Sequence, residues 1–347
     1  MSTRRCFNND WGARYLIRPP LCVRLSALKV SCIEEELAKV CKEQAQGAGS
    51  VDISAKGTVA VTYGATGFDN IELMVADGTS TLTGNNAANT WTITGANQGE
   101  LGTLRFQGFN VLNGGTAVDT FDLDADFTGT INGGAEADQF NIAASQSGSL
   151  KGEAGADTFT LTAIDLTVAD LQGGDDASLD TLVGANEANT WQITGTNSGT
   201  LITEGPVDTP TATVGFSGIE NLTGGTESDA FEVGDAGGVS GTLNGGGGLG
   251  INSLSARQGS TINNTWTIDA AHSGSISDGT TTYVADFDNI QTLTGGEGID
   301  TFNLNSDFTG TLNAGDNADI FTIATSQSRS LKGGAGADQF TLTAIDL

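Results

Sequence analysis

Residues 158 to 162 read Thr-Phe-Thr-Leu-Thr, with an apolar side chain at every second position. A period of two predicts a half-buried strand with Phe159 and Leu161 inward and the threonines outward. The pattern returns at a fixed step. Phe121, Phe140 and Phe159 stand 19 residues apart, as do Leu123, Ile142 and Leu161. Phe302, Phe321 and Phe340, with Leu304, Ile323 and Leu342, keep the same interval farther along the chain. A second short strand in each step, TGTI or SGSL, turns Ile131 and Leu150 inward before the next glycine turn. The spacing and the abundance of Gly and Thr argue against helix here. A constant short step is the signature of stacked coils, so the fold class is all-β, a parallel β-helix or β-solenoid with coils of about 19 to 25 residues, about a dozen in all.

A longer repeat contains the short one. Residues 124 to 166 recur as residues 305 to 347 without a gap, identical at 31 of 43 positions. The first copy runs on past Leu166 as TVADLQGG into another coil, whereas the chain stops at Leu347. The expectation is a piece of a longer repeat protein, or a truncated gene. Its last strand would lack a covering coil and would favour end-to-end self-association. A second module links the coils. It reads NTW, an apolar residue two positions on, a small polar stretch, then an F-x-x-[IFV] step into the next turn. Its copies centre on Trp91, Trp191 and Trp266 and rejoin through Phe106 and Phe109, Phe216 and Ile219, and Phe287 and Ile290. The tryptophans read as core filling, and the connections, including the segment with Pro206 and Pro210, as loops bulging from one side.

Residues 1 to 46 follow a different pattern. Ser31 with Glu34 forms a capping box, Ile33, Leu37 and Val40 share a helical face, and Glu34 to Glu36 precede Lys39 and Lys42. A short amphipathic helix is predicted near residues 32 to 44. The segment is either a cap on the first coil or a misassigned leader.

Charge divides the chain at the same place. Residues 1 to 46 carry 8 basic and 5 acidic groups, net +3, whereas residues 47 to 347 carry 6 and 37, net −31, with 49 of the 50 glycines. So acidic a region would be repelled by a polyanion and has no basic cluster to displace its counterions, which argues against nucleic acid as a partner. No apolar run is long enough to span a bilayer as a helix. The most apolar N-terminal stretch, LCVRLSALKVSCI, is broken by Arg24 and Lys29, so no signal peptide is visible. All four cysteines, Cys6, Cys22, Cys32 and Cys41, precede the solenoid and form no CxxC pair. A thiol-free repeat region suits an oxidising exterior.

Candidate chemistry sits at the turns. GGEGIDTFN at 295 to 303 and GGAGADQFT at 333 to 341 fit GGxGxDxUx, with U a large apolar residue. On these turns and the recurrent NTWxITG and IENLTGG-like phrases, residues 60 to 347 resemble the bacterial β-strand-repeat surface proteins of haemagglutinin and RTX-adhesin type. The resemblance implies secretion or a cell-surface location, cell adhesion or an extended stalk, a surface receptor or glycan as partner, and in some members bound Ca²⁺. The candidate ligands are Asp300 and Asp338 in the two complete motifs, with Asp319, Asp119, Asp138 and Asp157 at matching positions. Glycine permits a left-handed turn and Asp supplies a hard oxygen, which suits Ca²⁺. Other turns depart from the motif: Ala117, Glu136, Glu227 or Asn317 holds the fourth position, and Glu153 and Ala314 replace other glycines. An Asp row one strand spacing apart repels itself, so either cations bridge it or turn N–H groups neutralise it.

Three function classes follow. A structural or adhesive solenoid explains the repeats and the acidity, and its calcium-dependent form differs only at the turns. A parallel β-helix polysaccharide-processing enzyme is the alternative, through paired carboxylates such as Asp122 and Asp124. Against it, His272 is the one histidine and the basic groups of the solenoid are isolated. An ice-binding face would need a regular Thr array, which breaks where Gln139, Asn141 and Ala143 take the outward sites.

Overall fold

The computed structural model describes residues 71–203, 212–257 and 262–343, together with short strands at Lys29–Val30, Gly49–Asp52 and Ala60–Thr62. The helix expected at 32 to 44 and the segment with Pro206 and Pro210 lie outside the described residues. Among the described residues there are strands and turns and no helix. They form one long, mostly parallel, open sheet, a β-solenoid.

The 19-residue step is the physical register of the stack. Thr120–Leu123 pairs in parallel with Gln139–Ile142, which pairs with Thr158–Leu161, and each Phe lies opposite the next Phe. Phe121 and Phe140 stack with centroids 4.8 Å apart and Phe140 and Phe159 at 4.5 Å. All three are fully buried. Burying a ring of this size contributes about 1.5–3 kcal/mol, and a ring pair adds about 0.5–1.5. The second inward row runs Leu82, Leu112, Ile131, Leu150, Leu171, Phe216, each paired with the next.

The NTW modules differ from the expected bulging loops. Each is an antiparallel meander of three strands. Thr90–Gly95 pairs with Gln98–Leu101 and that with Leu104–Gly115. Asn189–Gly195, Ser198–Thr203 and Ala212–Ser217 repeat the arrangement, as do Thr265–Ala270, Ser273–Ser277 and Thr282–Asp288. The polar stretch supplies the tight turn: Asn97 and Asn197 take positive φ, 53° and 54°, a conformation that Asn tolerates well.

Each meander starts a new inward row with its Trp. Trp91 stacks on Phe121 at 5.8 Å and meets Phe106 edge-on at 5.9 Å. Trp191 stands in the same way between Phe231 and Phe216, and Trp266 between Phe302 and Phe287. All three indoles are buried, as core filling requires. The Trp191 row continues through Phe231, Leu254, Leu293, Leu312 and Leu331. The Trp266 row continues through Phe302, Phe321 and Phe340. A coil that contains a meander is longer than the expected range, and corresponding turn residues then stand 30 to 40 positions apart, as Asn89 and Asp119 or Asp180 and Glu220 do.

Candidate functional site

The six aspartates picked out by the turn motif each stand immediately before an inward strand. Thr120–Leu123, for example, begins one residue after Asp119. The structure places them in two separate rows. Asp119, Asp138 and Asp157 lie in one, which continues to Asp180 and Glu220. Asp300, Asp319 and Asp338 lie in the other. Asp119, Asp138, Asp157, Asp300 and Asp319 are fully buried and Asp338 is half-buried.

One oxygen of each carboxyl ties its coil to the coil before. The backbone N–H of Asp119 donates to Asp138 Oδ1 at 2.7 Å, that of Asp138 to Asp157 Oδ1 at 2.7 Å, and that of Asp157 to Asp180 Oδ1 at 2.8 Å. Asp300 N–H donates to Asp319 Oδ1 at 2.8 Å and Asp319 N–H to Asp338 Oδ1 at 3.1 Å. Backbone N–H groups thus supply one of the two ways to relieve the row. Asn89, Asn189 and Asn264, the residues before Thr-Trp in each meander, start the rows by donating to Asp119, Asp229 and Asp300.

The second oxygen has a different neighbourhood. Oδ2 of Asp119, Asp138, Asp157 and Asp319 is buried without a hydrogen-bond partner. In three coils it abuts the first residue of the turn, where only glycine fits. A methyl group on Gly114 would collide with both Asp119 Oδ2 and the Gly133 carbonyl oxygen of the next coil. Gly133 and Gly152 stand likewise beside Asp138 and Asp157. In Asp229 and Asp300 the second oxygen accepts an N–H instead, from Gly225 at 2.9 Å and Gly296 at 2.8 Å.

Burial is the main cause that pushes these carboxyls above their ordinary value of 3.8: Asp138 and Asp180 to about 7, Asp157, Asp229 and Asp319 to about 6. Asp119 and Asp300 shift upward for the same reason. The backbone N–H bonds pull in the opposite direction and are outweighed.

Calcium needs about six to eight oxygens around it. A level of this row offers one free carboxyl oxygen and the backbone carbonyl opposite, since the other carboxyl oxygen already accepts an N–H. No three Asp, Glu, His or Cys side chains converge among the described residues. At Asp119, Asp138 and Asp157 the turn as placed thus supplies two of those oxygens. Three of the residues that depart from the motif sit in a backbone conformation that favours glycine. Glu136, Glu153 and Asn317 hold φ of 71°, 75° and 73°, the left-handed region in which glycine is at ease.

Several residues escaped the sequence reading. Gln146, also buried, accepts the N–H of Phe127 at 3.0 Å and donates to the carbonyls of Ala125 and Ala144. Gln327 does the same for Phe308 in the second copy. The repeated Ser-Gln-Ser was the available signal. Arg257 is buried over the ring of Tyr283, 3.9 Å from its centre, and pairs with Asp278 at 3.3 Å. The Tyr283 hydroxyl donates to Asn264, which holds Asp300, so this clamp braces the third meander against the second row. His272 stands at the hairpin position of Asn97 and Asn197. It hydrogen-bonds Thr309 at 2.8 Å, as Asn97 bonds Thr128. An open groove of about 590 Å³ runs beside it, lined by Asn244, Asp288 and Asn289 among others. Asp122 and Asp124 also lie apart in role, since Asp122 accepts from Asn141 at 2.8 Å along the outer face.

Compared with protein-family models, with curated proteins and with solved structures, the chain finds no match in any of the three.

Proposed function

We propose that residues 47–347 serve as a structural or adhesive repeat region of a secreted or cell-surface protein, a stalk that carries a receptor- or glycan-binding part at a distance. The observation that supports this most is the continuity of the stack. From Trp91 to Phe287 one inward row passes through seven successive parallel pairings without losing register. The side chains that could do chemistry serve the stacking as well, since aspartate, glutamine and asparagine bond one coil to the next. A polysaccharide-processing site would need an acid and a base free to meet a sugar, whereas the ladder carboxyls are buried and committed. We read the Asp119, Asp138 and Asp157 turns as working without Ca²⁺, because each offers two oxygens.

The test has two parts. Small-angle scattering of the chain, and of a variant lacking residues 139–157, which is one coil, should give the same cross-section, with the length shortened by one strand spacing, about 4.8 Å. A glycan array and a turnover assay on acidic polysaccharides should both be blank for the repeat region. Shortening by a different amount would sink the stalk, a glycan signal would make the coils themselves adhesive, and product formation would restore the enzyme.

A further inference from the structure

The free oxygens of the aspartate row pose a chemical problem that the fold alone leaves unsolved. Asp119 Oδ2 and the Gly133 carbonyl oxygen border the same small space at Gly114, and both are acceptors. Asp138 Oδ2 faces the Gly152 carbonyl and Asp157 Oδ2 the Gly173 carbonyl in the same way. The carboxyl oxygens are the unpartnered atoms, at a cost of about 1–3 kcal/mol each, while a carbonyl such as that of Gly173, which accepts the Glu153 N–H at 2.9 Å, keeps a second lone pair for a donor.

The chain itself contains the solved version of this geometry. Asn252 occupies the ladder position in its coil. Its Oδ1 accepts the N–H of Asp229 at 2.9 Å, as an Asp would, while its Nδ2 donates to the Asn289 carbonyl of the next coil at 3.2 Å. Both of those atoms border the space at Gly245, as carboxyl and carbonyl do at Gly114. Asn89 repeats the donor half, with Nδ2 3.4 Å from the Gly114 carbonyl. The position therefore asks for an acceptor toward the previous coil and a donor toward the next. Asparagine supplies both permanently. An aspartate supplies both only when Oδ2 carries a hydrogen.

We propose that the row Asp119, Asp138, Asp157 binds protons rather than a metal ion, each carboxyl holding a hydrogen on Oδ2 that donates to the glycine carbonyl of the next coil, which makes the solenoid an acid-fastened stack.

The surroundings agree with this from every side. The charged groups facing Asp138 are Asp119, Asp157 and Glu136, and those facing Asp157 are Asp138, Asp176 and Asp180. Asp180, next in the row, faces Asp157, Glu220 and Asp176. All are acidic, so none favours the ionised form. The raised values, about 6 to 7, place the change in the mildly acid to neutral range. These carboxyls interact, so their protons leave in macroscopic steps that belong to the row and not to one residue. The sign follows from the direction of the shift. A carboxyl raised in the folded state contributes its full stability below the unfolded value of 3.8, and that contribution is lost as pH rises through 6 to 7.

Two measurements on the full chain decide the matter. Infrared spectra of the folded chain should keep a protonated-carboxyl C=O band up to pH 6, well above the range in which exposed carboxylic acids lose theirs. The band should weaken in Asp138→Asn and weaken further in the double variant with Asp157→Asn. Its disappearance by pH 5 would overturn the proposal, whether a water or nothing at all fills the space. Thermal scans supply the second readout. Lowering the pH also relieves the general repulsion of an acidic chain, so the control is Glu232→Gln with Asp235→Asn, two exposed acids. Asp138→Asn should raise Tm at pH 8, leave it nearly unchanged at pH 4, and flatten the rise between them more than the control does. An Asn variant less stable than wild type at pH 8, or with an unchanged slope, would refute the proton bridge.

Discussion

The two copies of the 43-residue block teach where burial comes from in a stack. In the first copy Phe159 and Leu161 are 0% and 3% exposed, because Thr181–Val183 pairs over them. In the second, the matching Phe340 and Leu342 are 43% and 58% exposed, although the surrounding sequence TLTAIDL is the same. Phe340 still stacks on Phe321 at 4.3 Å, so its strand is formed and in register. The residue chooses its face by its own alternation, and its neighbour coil determines whether that face is dry. Propensity and register are thus local to a coil, while the hydrophobic stabilisation is shared between adjacent coils.

The sharpest way to break this comparison is to make one change in both copies. Phe159→Ala removes a ring held between Phe140 and Leu182 and should cost about 3–5 kcal/mol, whereas Phe340→Ala should cost less than about 1.5, both measured by urea unfolding. Similar losses would mean that burial by the next coil is not what distinguishes them. A smaller effect is expected at the glycine beside the ladder. Gly133→Ala places a methyl against Asp138 Oδ2 and the Gly152 carbonyl and should lose about 2–3 kcal/mol in the same assay. Position 314, the counterpart of Gly133 in the second copy, already carries a fully buried Ala. Ala314→Gly, which only removes a buried methyl, should cost less than Gly133→Ala. A third change concerns the clamp present in only one meander. Arg257→Ala removes a buried ion pair and the cation stacked on Tyr283. It should lower Tm by several degrees, with faster amide exchange in Thr265–Ala270 and little change in Thr90–Gly95. Equal exchange in both strands would detach the clamp from the third meander. The smallest effect is a gain. Glu136→Gly and Asn317→Gly relieve a left-handed backbone, and each should stabilise by about 1 kcal/mol or less, read as a small rise in Tm.

The aromatic rows were legible in the chain because a parallel stack copies its spacing into the sequence. Phe121, Phe140 and Phe159 recur at 19 because each must stand over the last. The meanders were not legible as such. Trp91 and Ile93, then Leu104 and Phe106, alternate with a period of two that is the same in parallel and antiparallel strands. Only the Asn-Gln-Gly and Asn-Ser-Gly turns at 97 to 99 and 197 to 199 pointed to hairpins. The third turn carries His272, which hides the likeness. The ladder aspartates were found by motif, but their direction was not. A residue in a turn has no alternation to assign it a face. Whether the carboxyl turns out toward an ion or in toward an N–H depends on the coil before it. The paired roles of Gln146 and Gln327 were hidden for the same reason, since their partners lie about 20 positions earlier in sequence and one coil away in space.

The meanders also bear on how such a chain can change its length. Each starts a fresh row with its own tryptophan, so the coils between two meanders answer to that start and not to the whole stack. Unequal recombination between similar stretches, such as 124–166 and 305–347, would add or remove whole coils. The junction would fall between strands that already present Phe to Phe and Asp to Asp. Such products would inherit a working register without any compensating substitution, and related genes should differ in their number of coils more readily than in the sequence of any one.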